Sequence, residues 1–277
     1  MTILSQATTL VAGASRGVGR GIALGLGEAG ARVVVTGRSS EAGPRTDGRQ
    51  ESVEDAARAV HAIGGAGYPY ICDHRREREV DGLVSWMLRR FGGIELAICS
   101  VWPGNEGFDG ETYADGSTWG TPFWRRPAAH VEASLTGGLV PALFLARAVA
   151  PAMVAARRGL IVLVSFDTAS YLGDIAYDLA KDALNRLAFA AAEELAPHGV
   201  GVVALSPGHV ATERVVEAGH SEHATETPLF VGRAVAALAA DPDPLRHTGQ
   251  VVATADLARL YGFTDVDGRV PERFRIG

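Results

Sequence analysis

A glycine-containing turn near the start of the chain places the strongest constraint on its fold. The apolar run from Thr9 to Ala12 leads into Gly13, Gly17 and Gly19, and helix-compatible residues follow at once. Glycines permit a tight turn and let backbone N–H groups approach a phosphate, and the helix directs the positive end of its dipole to the same point. The pattern predicts a strand, a turn and a helix that open a dinucleotide site. An ordinary strand–helix connection is the alternative.

Apolar strand-like runs alternate with helical stretches along the rest of the sequence. Strands are predicted at 8–12, 31–36, 67–72, 95–100, 159–165, 200–206 and 249–253. Helices are predicted at 18–29, 51–63, 76–91, 128–156, 176–196 and 228–240. Because the strands are short and continuously apolar, we expect both faces of the sheet to be covered. The sequence thus predicts an α/β fold, a Rossmann-type doubly wound parallel sheet of about seven strands with helices on both faces.

Size and composition limit the organisation of the chain and its partners. No linker rich in proline or serine divides the sequence, so we interpret residues 1–277 as a single domain with a core at 8–254. The net charge of -6 argues against a nucleic-acid surface. We expect no membrane span of ~20 apolar residues and no signal peptide. These observations predict a cytoplasmic protein with neither nucleic-acid nor membrane partners.

Cysteines and histidines give little reason to expect a metal. Cys72 and Cys99 each end an apolar run, and we interpret them as reduced core residues rather than a disulfide or metal site. His209, His220 and His223 lie near the loop after the sixth strand without rigid ligand spacing, so we interpret them as solvated loop residues. We predict no metal site.

The end of the second predicted strand indicates which dinucleotide is bound. This strand ends in Thr36-Gly37-Arg38, at the tip where an acidic side chain would accept a hydrogen bond from the ribose 2′-hydroxyl. No carboxylate stands there, and Arg16 in the glycine turn can reach the same volume as Arg38. Two guanidinium groups suit an additional 2′-phosphate. The sequence predicts NADP(H) over NAD(H), with two solvated surface arginines as the alternative.

Polar residues also follow the third predicted strand. Asp73 can accept from the amino group of adenine, or it can cap the helix that follows. Its neighbours His74, Arg75 and Arg76 are interpreted as solvated residues at the start of that helix.

Tyr177 and Lys181 form the strongest chemical pattern in the sequence. They lie four residues apart in a predicted helix, so their side chains share one face. A phenol with a pKa near ~10 is a poor acid–base group at neutral pH, but a nearby ammonium favours the phenolate and lowers that pKa. The pair predicts a tyrosine that donates and accepts protons.

These patterns resemble the short-chain dehydrogenase/reductase family. The matching pieces are the glycine turn, Asp73, the Tyr177–Lys181 pair and the segment 206–212, SPGHVAT, in the family's order and at its usual separations. The match covers about residues 8–254 and is similar to the classical type with an NADP-like signature and altered catalytic motifs. It implies a small-molecule substrate and a homodimer or homotetramer formed through the helices at 128–156 and 176–196.

The resemblance, together with Arg38, assigns most of the candidate site. The cofactor-binding residues are Gly13, Ser15, Arg16, Gly17, Val18, Gly19, Arg38, Asp73, Ser100, Tyr177, Lys181, Pro207, Gly208, Val210 and Thr212. In this scheme, Tyr177 exchanges a proton with the substrate oxygen, while Lys181 binds the nicotinamide ribose and lowers the pKa of the tyrosine. The cofactor carries the hydride.

The substrate-orienting serine departs from the family's pattern. Ser165 precedes Tyr177 by about the separation that the family shows, but counting forward from Gly159 places the usual serine position on Phe166. We take Ser165 as the candidate catalytic serine and Ser170 as the second choice.

Two further positions also differ from the family. Trp102 replaces a glycine that lets the backbone pass close to the cofactor, although the backbone of Ser100 can still serve. Ser134 aligns with an asparagine that anchors a proton-relay water, and a serine hydroxyl can hold a water with different geometry. Ser134 is therefore a fourth catalytic candidate beside Ser165, Tyr177 and Lys181.

Two irregular segments and two functions remain open. The loop at 101–127 is interpreted as a structured flap near the substrate, against a remote surface or oligomer contact, and the tail at 254–277 covers the substrate mouth or a neighbouring subunit. One function is an NADP(H)-dependent oxidoreductase that interconverts a carbonyl and an alcohol on a small, apolar substrate. The other is a dinucleotide-binding sensor or assembly subunit with little catalysis. Convergence of Ser165 and Tyr177 on one oxygen site would favour the enzyme.

Overall fold

Seven parallel strands form one sheet in the described part of the chain. A computed structural model describes residues 3–104, 106–109 and 111–275. The strands are β1 (Thr8–Ala12), β2 (Arg32–Gly37), β3 (Ala66–Ile71), β4 (Leu96–Cys99), β5 (Gly159–Val164), β6 (Val200–Ser206) and β7 (Val251–Ala253). Their order in the sheet is β3-β2-β1-β4-β5-β6-β7. The predicted α/β fold with a doubly wound parallel sheet is confirmed.

Helices connect the strands and cover both faces of the sheet. They are α1 (Gly17–Glu28), α2 (Val53–Ala62), α3 (Glu77–Phe91), α4 (Ala128–Ala156), α5 (Ile175–Leu195), α6 (Glu213–Glu217), α7 (Pro228–Ala240) and α8 (Thr254–Tyr261). Every predicted strand and helix agrees with the structure within two residues. The short helices α6 and α8 were not predicted, because neither is long enough to show a clear apolar period.

Two apolar clusters make the core, one on each side of the sheet. Leu26 of α1 and Val235 of α7 pack with Val33 of β2 on one face. Met87 of α3 and Leu145 of α4 pack on the other. The β-branched residues of the central strands fit this doubly covered sheet, because Val33, Val35 and Ile98 are fully buried under the helices.

Helix α4 is long and apolar enough to cross a membrane by length and composition. It has 29 residues and a mean hydropathy of 1.9 over its most apolar stretch, so the expectation that no such run exists was wrong. In the fold, α4 packs against α3, α5, β4 and β5. Core helices show the same composition. The helix also continues through Pro141 and Pro151 to its last turn.

The sheet order brings β1 and β4 side by side although they are not consecutive in the chain. The backbone N–H of Ser100, just after β4, donates to the carbonyl of Ala12 at 2.9 Å. At such a pair of strands the chain stops adding strands to one side of the sheet and begins adding them to the other. Ligands bind in the crevice outside the carboxyl ends of these two strands. The fold therefore locates the candidate site at the turns after β1 and β4.

Candidate functional site

One cleft of about 700 Å³ opens at the carboxyl ends of the strands. The predicted site residues that line it are Gly13, Ser15, Arg16, Gly17, Val18, Gly19, Arg38, Asp73, Ser100, Ser165, Tyr177, Lys181, Pro207, Gly208, Val210 and Thr212. Ser134 lies outside the cleft and is 1% exposed. Residues that follow six of the strands, β1 to β6, thus meet in one volume, as expected where parallel strands end at a common edge.

Close backbone approach in the first turn requires two of its glycines. Gly13 has a φ of 77°, and a Cβ there would lie 2.8 Å from the carbonyl oxygen of Ser100. A Cβ on Gly19 would lie 2.2 Å from the carbonyl oxygen of Gly13. A side chain at either position would separate the elements around it. The missing side chains therefore allow β1, α1 and the end of β4 to meet at one point.

A carboxylate already contacts the N-terminus of α1. The backbone N–H of Gly17 donates to Oε2 of Glu213 at 2.8 Å. Glu213 begins α6, whose N-cap Thr212 accepts from the backbone N–H of Val215 at 3.4 Å. The first N–H groups of a helix have no intrahelical acceptor and carry partial positive charge, so they bind anions readily. Sequence analysis did not identify Glu213, which reaches Gly17 only because α6 folds over the turn.

Arginines line the end of the cleft next to β2. Arg16 donates to the hydroxyl of Thr46 at 3.1 Å, and burial lowers the pKa of its guanidinium. Arg38 forms an ion pair with Glu106 of the long loop. Arg49 also lines this end and is paired with Glu217, which raises its pKa. Arg16 and Arg38 thus lie beside one volume, but each has a protein partner in this structure, as does Arg49.

At the end of β3, Asp73 lines the cleft without capping α3, and His74 is buried. Asp73 accepts from the guanidinium of Arg75 at 2.8 Å, which lowers the pKa of the carboxyl, while the N-cap of α3 is Arg76. His74 is 3% exposed, with Nε2 2.7 Å from the hydroxyl of Thr36. Burial lowers the pKa of His74 to about 4. The interpretation of His74 as solvated was wrong, because its ring turns inward under the sheet edge.

Tyr177 and Lys181 share one face of α5 and meet an aromatic enclosure. The ring of Tyr177 lies edge-to-face with Trp102 and Trp119, each with a centroid distance of 5.1 Å. Lys181 Nζ lies 4.7 Å from the ring centroid of Trp102 and donates to the carbonyl of Val164 at 3.3 Å. Among the described residues, the Tyr177 hydroxyl has no hydrogen-bond partner. Trp102 and Trp119 therefore bring the long loop to the cleft, as the flap interpretation predicted.

The pKa of Tyr177 shifts in the direction opposite to the one expected. Burial raises the pKa of the Tyr177 phenol, and nearby Tyr113 raises it further. Burial lowers the pKa of Lys181 to about 8. The ammonium lies 5.3 Å from the ring centroid of Tyr177. The expectation that Lys181 brings the phenol below its ordinary pKa is not met in this geometry, because desolvation acts against both charged forms.

Neither candidate serine offers a hydroxyl proton to the centre of the cleft. Ser165 is 3% exposed and donates to the backbone carbonyl of Lys181 at 2.9 Å. Ser170 is exposed and lies outside the residues that line the cleft. Phe166 lines it instead. The orienting role assigned to Ser165 is not supported by this geometry, because its donor is already used by α5.

The Trp102 indole and the backbone of Gly104 lie next to α4 and keep Ser134 out of the cleft. A Cβ on Gly138 of α4 would lie 2.8 Å from the Trp102 indole, and one on Gly104 would lie 3.1 Å from the Ser134 hydroxyl. The indole thus fills the space beside α4, with Ser134 beyond the backbone of Gly104. This arrangement does not support a relay through Ser134, because its side chain is separated from the cleft.

The segment after β6 is held from behind by a buried carboxyl group. Thr254 donates to Oε2 of Glu226 at 2.8 Å, and the backbone N–H of Ala211 donates to the Glu226 carbonyl at 2.9 Å. Burial raises the pKa of Glu226 to about 7. Gly208 leaves little space here, since a Cβ would lie 3.1 Å from Oε2 of Glu226. These contacts fix the wall formed by the SPGHVAT segment.

The tail reaches the same cleft. Phe274 lines it and lies 6.1 Å, between ring centroids, from both Phe166 and His209. Arg273 bonds the carboxylates of Asp167 and Asp256, at 2.5 Å and 3.1 Å. The tail therefore contributes Phe274 to the lining of the cleft within one chain.

The described residues contain no cluster of histidine, cysteine, aspartate or glutamate able to hold a metal ion. Cys72 and Cys99 are both free and buried. Burial raises the pKa of Cys72 to about 12 and that of Cys99 to about 11, so both thiols stay protonated at neutral pH. Neither thiol is therefore available as a thiolate nucleophile at neutral pH. The acid–base groups that face the centre of the cleft are those of Tyr177 and Lys181.

Comparison with known proteins assigns this arrangement to a family. The family model for short chain dehydrogenases matches residues 7–223. The chain is 35% identical to dehydrogenase/reductase SDR family member 1 of Mus musculus, across 97% of this chain and 86% of that protein. The chain belongs to the short-chain dehydrogenase/reductase family. The human protein of the same name is 34% identical, across 94% of this chain and 83% of that protein.

A solved member of the family has its cofactor bound. A metagenomic short-chain oxidoreductase in complex with NADP superimposes with a TM-score of 0.69 at 28% identity, covering 91% of this chain and 97% of that one. Members of this family use a nicotinamide dinucleotide. Membership in the family supports an oxidoreductase activity for this chain. The predicted family and fold class are confirmed together.

Proposed function

We propose that this family member is an NADP(H)-dependent oxidoreductase that interconverts a carbonyl and an alcohol on a small, apolar substrate. The observation that carries the proposal is the meeting of the glycine turn and the unbonded Tyr177 hydroxyl in one cleft. When bound, the nicotinamide supplies the hydride. Tyr177 exchanges the proton with the substrate oxygen, and Lys181 orients the sugar of the dinucleotide. A tyrosine placed for proton transfer distinguishes an enzyme from a protein that only binds nucleotide.

The lining of the cleft supports a dinucleotide that extends from the glycine turn to the segment after β6. The backbone at Gly13, Gly17 and Gly19 has no side chains to block a pyrophosphate, and α1 presents its N-terminus there. The 206–212 segment lines the opposite end with Tyr177. Aromatic residues from the long loop, from the segment after β5 and from the tail line the proposed substrate end of the cleft, namely Trp102, Trp119, Phe166 and Phe274. Their apolar surfaces favour a carbonyl compound with flat or hydrophobic substituents.

A second candidate function is a dinucleotide-binding protein with little catalysis. The observation in its favour is the Ser165 hydroxyl, which lines the cleft but donates its proton to the backbone carbonyl of Lys181. A screen of carbonyl compounds with NADPH and NADH separates the two candidates. Steady turnover supports the enzyme, whereas tight NADPH binding without turnover across the screen supports the binding protein.

We expect Arg38→Leu to reduce the preference for NADPH over NADH by at least tenfold. Arg38 and Arg16 face one volume at the tip of β2, and a charge-assisted hydrogen bond to a 2′-phosphate contributes about 1.5–3 kcal/mol. Dissociation constants for both cofactors, measured by fluorescence titration, check this. Arg58→Leu on α2 is the control, because its side chain is exposed and lies outside the cleft. An equal loss for NADPH and NADH would contradict the assignment of Arg38.

We expect Glu213→Gln to tighten NADPH binding by about three- to tenfold. Its carboxylate accepts from Gly17, where a cofactor phosphate would accept, so the two negative charges compete for one helix terminus. The amide keeps the size of the side chain and removes the charge. Glu222→Gln, at an exposed site with His223, provides the control. Weaker NADPH binding by the Glu213 variant would show that the carboxylate supports the site instead.

We also propose that the protein is cytoplasmic and self-associates as a homodimer or homotetramer. Exposed apolar side chains on α4 and α5 support association, namely Leu143, Leu179 and Phe189.

A further inference from the structure

A buried ion pair joins the long loop to the start of α5. The side chains of Arg126 and Asp174 are each 1% exposed and form this pair. Nε2 of His130 lies 3.5 Å from the same carboxylate, and the Arg126 guanidinium lies 5.4 Å from the ring centroid of Tyr113. Burying two charges is costly unless further hydrogen bonds satisfy them. The contribution of this ion pair to the structure therefore depends on the other hydrogen bonds that Arg126 and Asp174 make.

Arg126 holds the backbone of the long loop. Its guanidinium donates to the carbonyl of Thr118 at 2.8 Å and to the carbonyl of Trp119 at 2.6 Å. A third contact reaches the hydroxyl of Ser117 at 3.3 Å. A planar guanidinium can serve a carboxylate and two carbonyls at once, which a lysine ammonium cannot do with the same geometry.

Asp174 holds the backbone of Tyr177. As the N-cap of α5, its Oδ1 accepts from the Tyr177 N–H at 2.8 Å. This bond fixes the first turn of the helix that carries Tyr177 and Lys181. The ion pair is thus connected, through Asp174, to the backbone of the residue whose ring lines the cleft, Tyr177.

Trp119 completes the connection from the other side of the ring. Its indole N–H donates to the carbonyl of Leu172 at 3.1 Å, and its ring packs on Tyr177 at an interplanar angle of 61°. Gly173 leaves room for the indole, because a Cβ there would lie 2.7 Å from the indole nitrogen. Tyr177 is therefore held at its backbone by Asp174 and at its ring by a tryptophan whose carbonyl Arg126 binds.

We propose that Arg126 and Asp174 are positioning residues that set the orientation of the Tyr177 ring in the cleft. The inference rests on the proposed function only in taking Tyr177 as the acid–base group. It assigns a role to Arg126, the second arginine of the segment 123–127, FWRRP. Trp102 also packs on the Tyr177 ring, so the ion pair acts on the orientation of the ring through Trp119 and through the first turn of α5.

The test compares Arg126→Lys, Arg126→Met and the double variant Arg126→Met/Asp174→Asn with Arg125→Met. Arg125 is the neighbouring arginine and is exposed, so it serves as the matched control. We expect Arg126→Lys to fold, to lower kcat about tenfold and to leave the Kd for NADPH unchanged. The double variant removes the uncompensated buried charge, so it should regain thermal stability relative to Arg126→Met while kcat stays low. Recovery of kcat together with stability would overturn the positioning role.

Hydrogen exchange gives a readout that does not depend on turnover. In Arg126→Lys and in the double variant, we expect faster exchange in peptides covering 172–181 and 113–124, with α1 and β6 unchanged. Unchanged protection in 172–181 in both variants would overturn the inference. If the wild type binds NADPH but turns over no carbonyl compound, the proposed function fails, while exchange in 172–181 still decides whether the pair holds Tyr177.

Discussion

Replacing Tyr177 with phenylalanine should lower kcat by about 10²–10⁴-fold, the usual contribution of a positioned acid or base. The substitution removes one oxygen and keeps the ring, so the edge-to-face contacts with Trp102 and Trp119 should persist. NADPH should bind with an almost unchanged Kd, because the glycine turn and the arginines lie at the other end of the cleft. Steady-state kinetics with the best carbonyl substrate and a cofactor titration provide the measurement.

Tyr171→Phe is the matched control for this prediction. Tyr171 is 62% exposed and lies outside the residues that line the cleft, so its loss of a hydroxyl should leave kcat unchanged. The raised pKa of Tyr177 adds a further expectation. The phenol is protonated at neutral pH, so carbonyl reduction, which uses it as an acid, should be favoured over alcohol oxidation there. Turnover by Tyr177→Phe equal to that of the wild type would remove Tyr177 from the mechanism.

A methyl group on Gly19 should abolish most cofactor binding. Its Cβ would lie 2.2 Å from the carbonyl oxygen of Gly13, so the turn must open and its N–H groups must leave their positions. We expect Gly19→Ala to destabilise the fold by about 1–3 kcal/mol, as overpacking does. NADPH binding should weaken by about 10–100-fold, which corresponds to about 1.4–2.8 kcal/mol. Thermal unfolding and fluorescence titration with NADPH measure the two effects.

Gly82→Ala distinguishes this steric effect from the general effect of adding a methyl group. Gly82 lies inside α3, and a Cβ there meets nothing within 4 Å. Alanine at an open helical position should stabilise the protein by about 0.5–1 kcal/mol and leave NADPH binding unchanged. Comparable losses of NADPH affinity in both variants would mean that Gly19 has no special role at the turn.

Local patterns were sufficient for the architecture and for the cofactor half of the cleft. The run of Val33 to Val35 predicts a covered strand, and the glycines after β1 predict a close approach that the structure shows at Gly13 and Gly19. The spacing of Tyr177 and Lys181 places them on one helix face by geometry alone. The strand, the turn and the shared helix face each follow from residues within a few positions of one another, whereas the partner of Gly13 in the close approach, Ser100, comes from a distant part of the chain.

Contacts between distant segments were not predictable in the same way. Ser165 bonds the carbonyl of Lys181, although the family's pattern suggested that it faces the cleft. His74 turns under the sheet to Thr36, although its neighbours are charged. In both positions, a polar residue found a partner in another element, and sequence spacing does not indicate which way a side chain turns.

The sequence by itself determined the family, the strand and helix order and the glycine turn after β1. Repeating apolar spacing and glycine placement specify local backbone geometry, and the sheet then gathers the turns at one edge. Only the tertiary structure decided that Glu213 contacts Gly17, that Phe274 covers the cleft and that Arg126 pairs with Asp174. These contacts join residues 48 to 196 positions apart or close the tail over the cleft. They arise from the packing of complete elements, because burial and partner choice depend on the whole fold rather than on neighbouring residues.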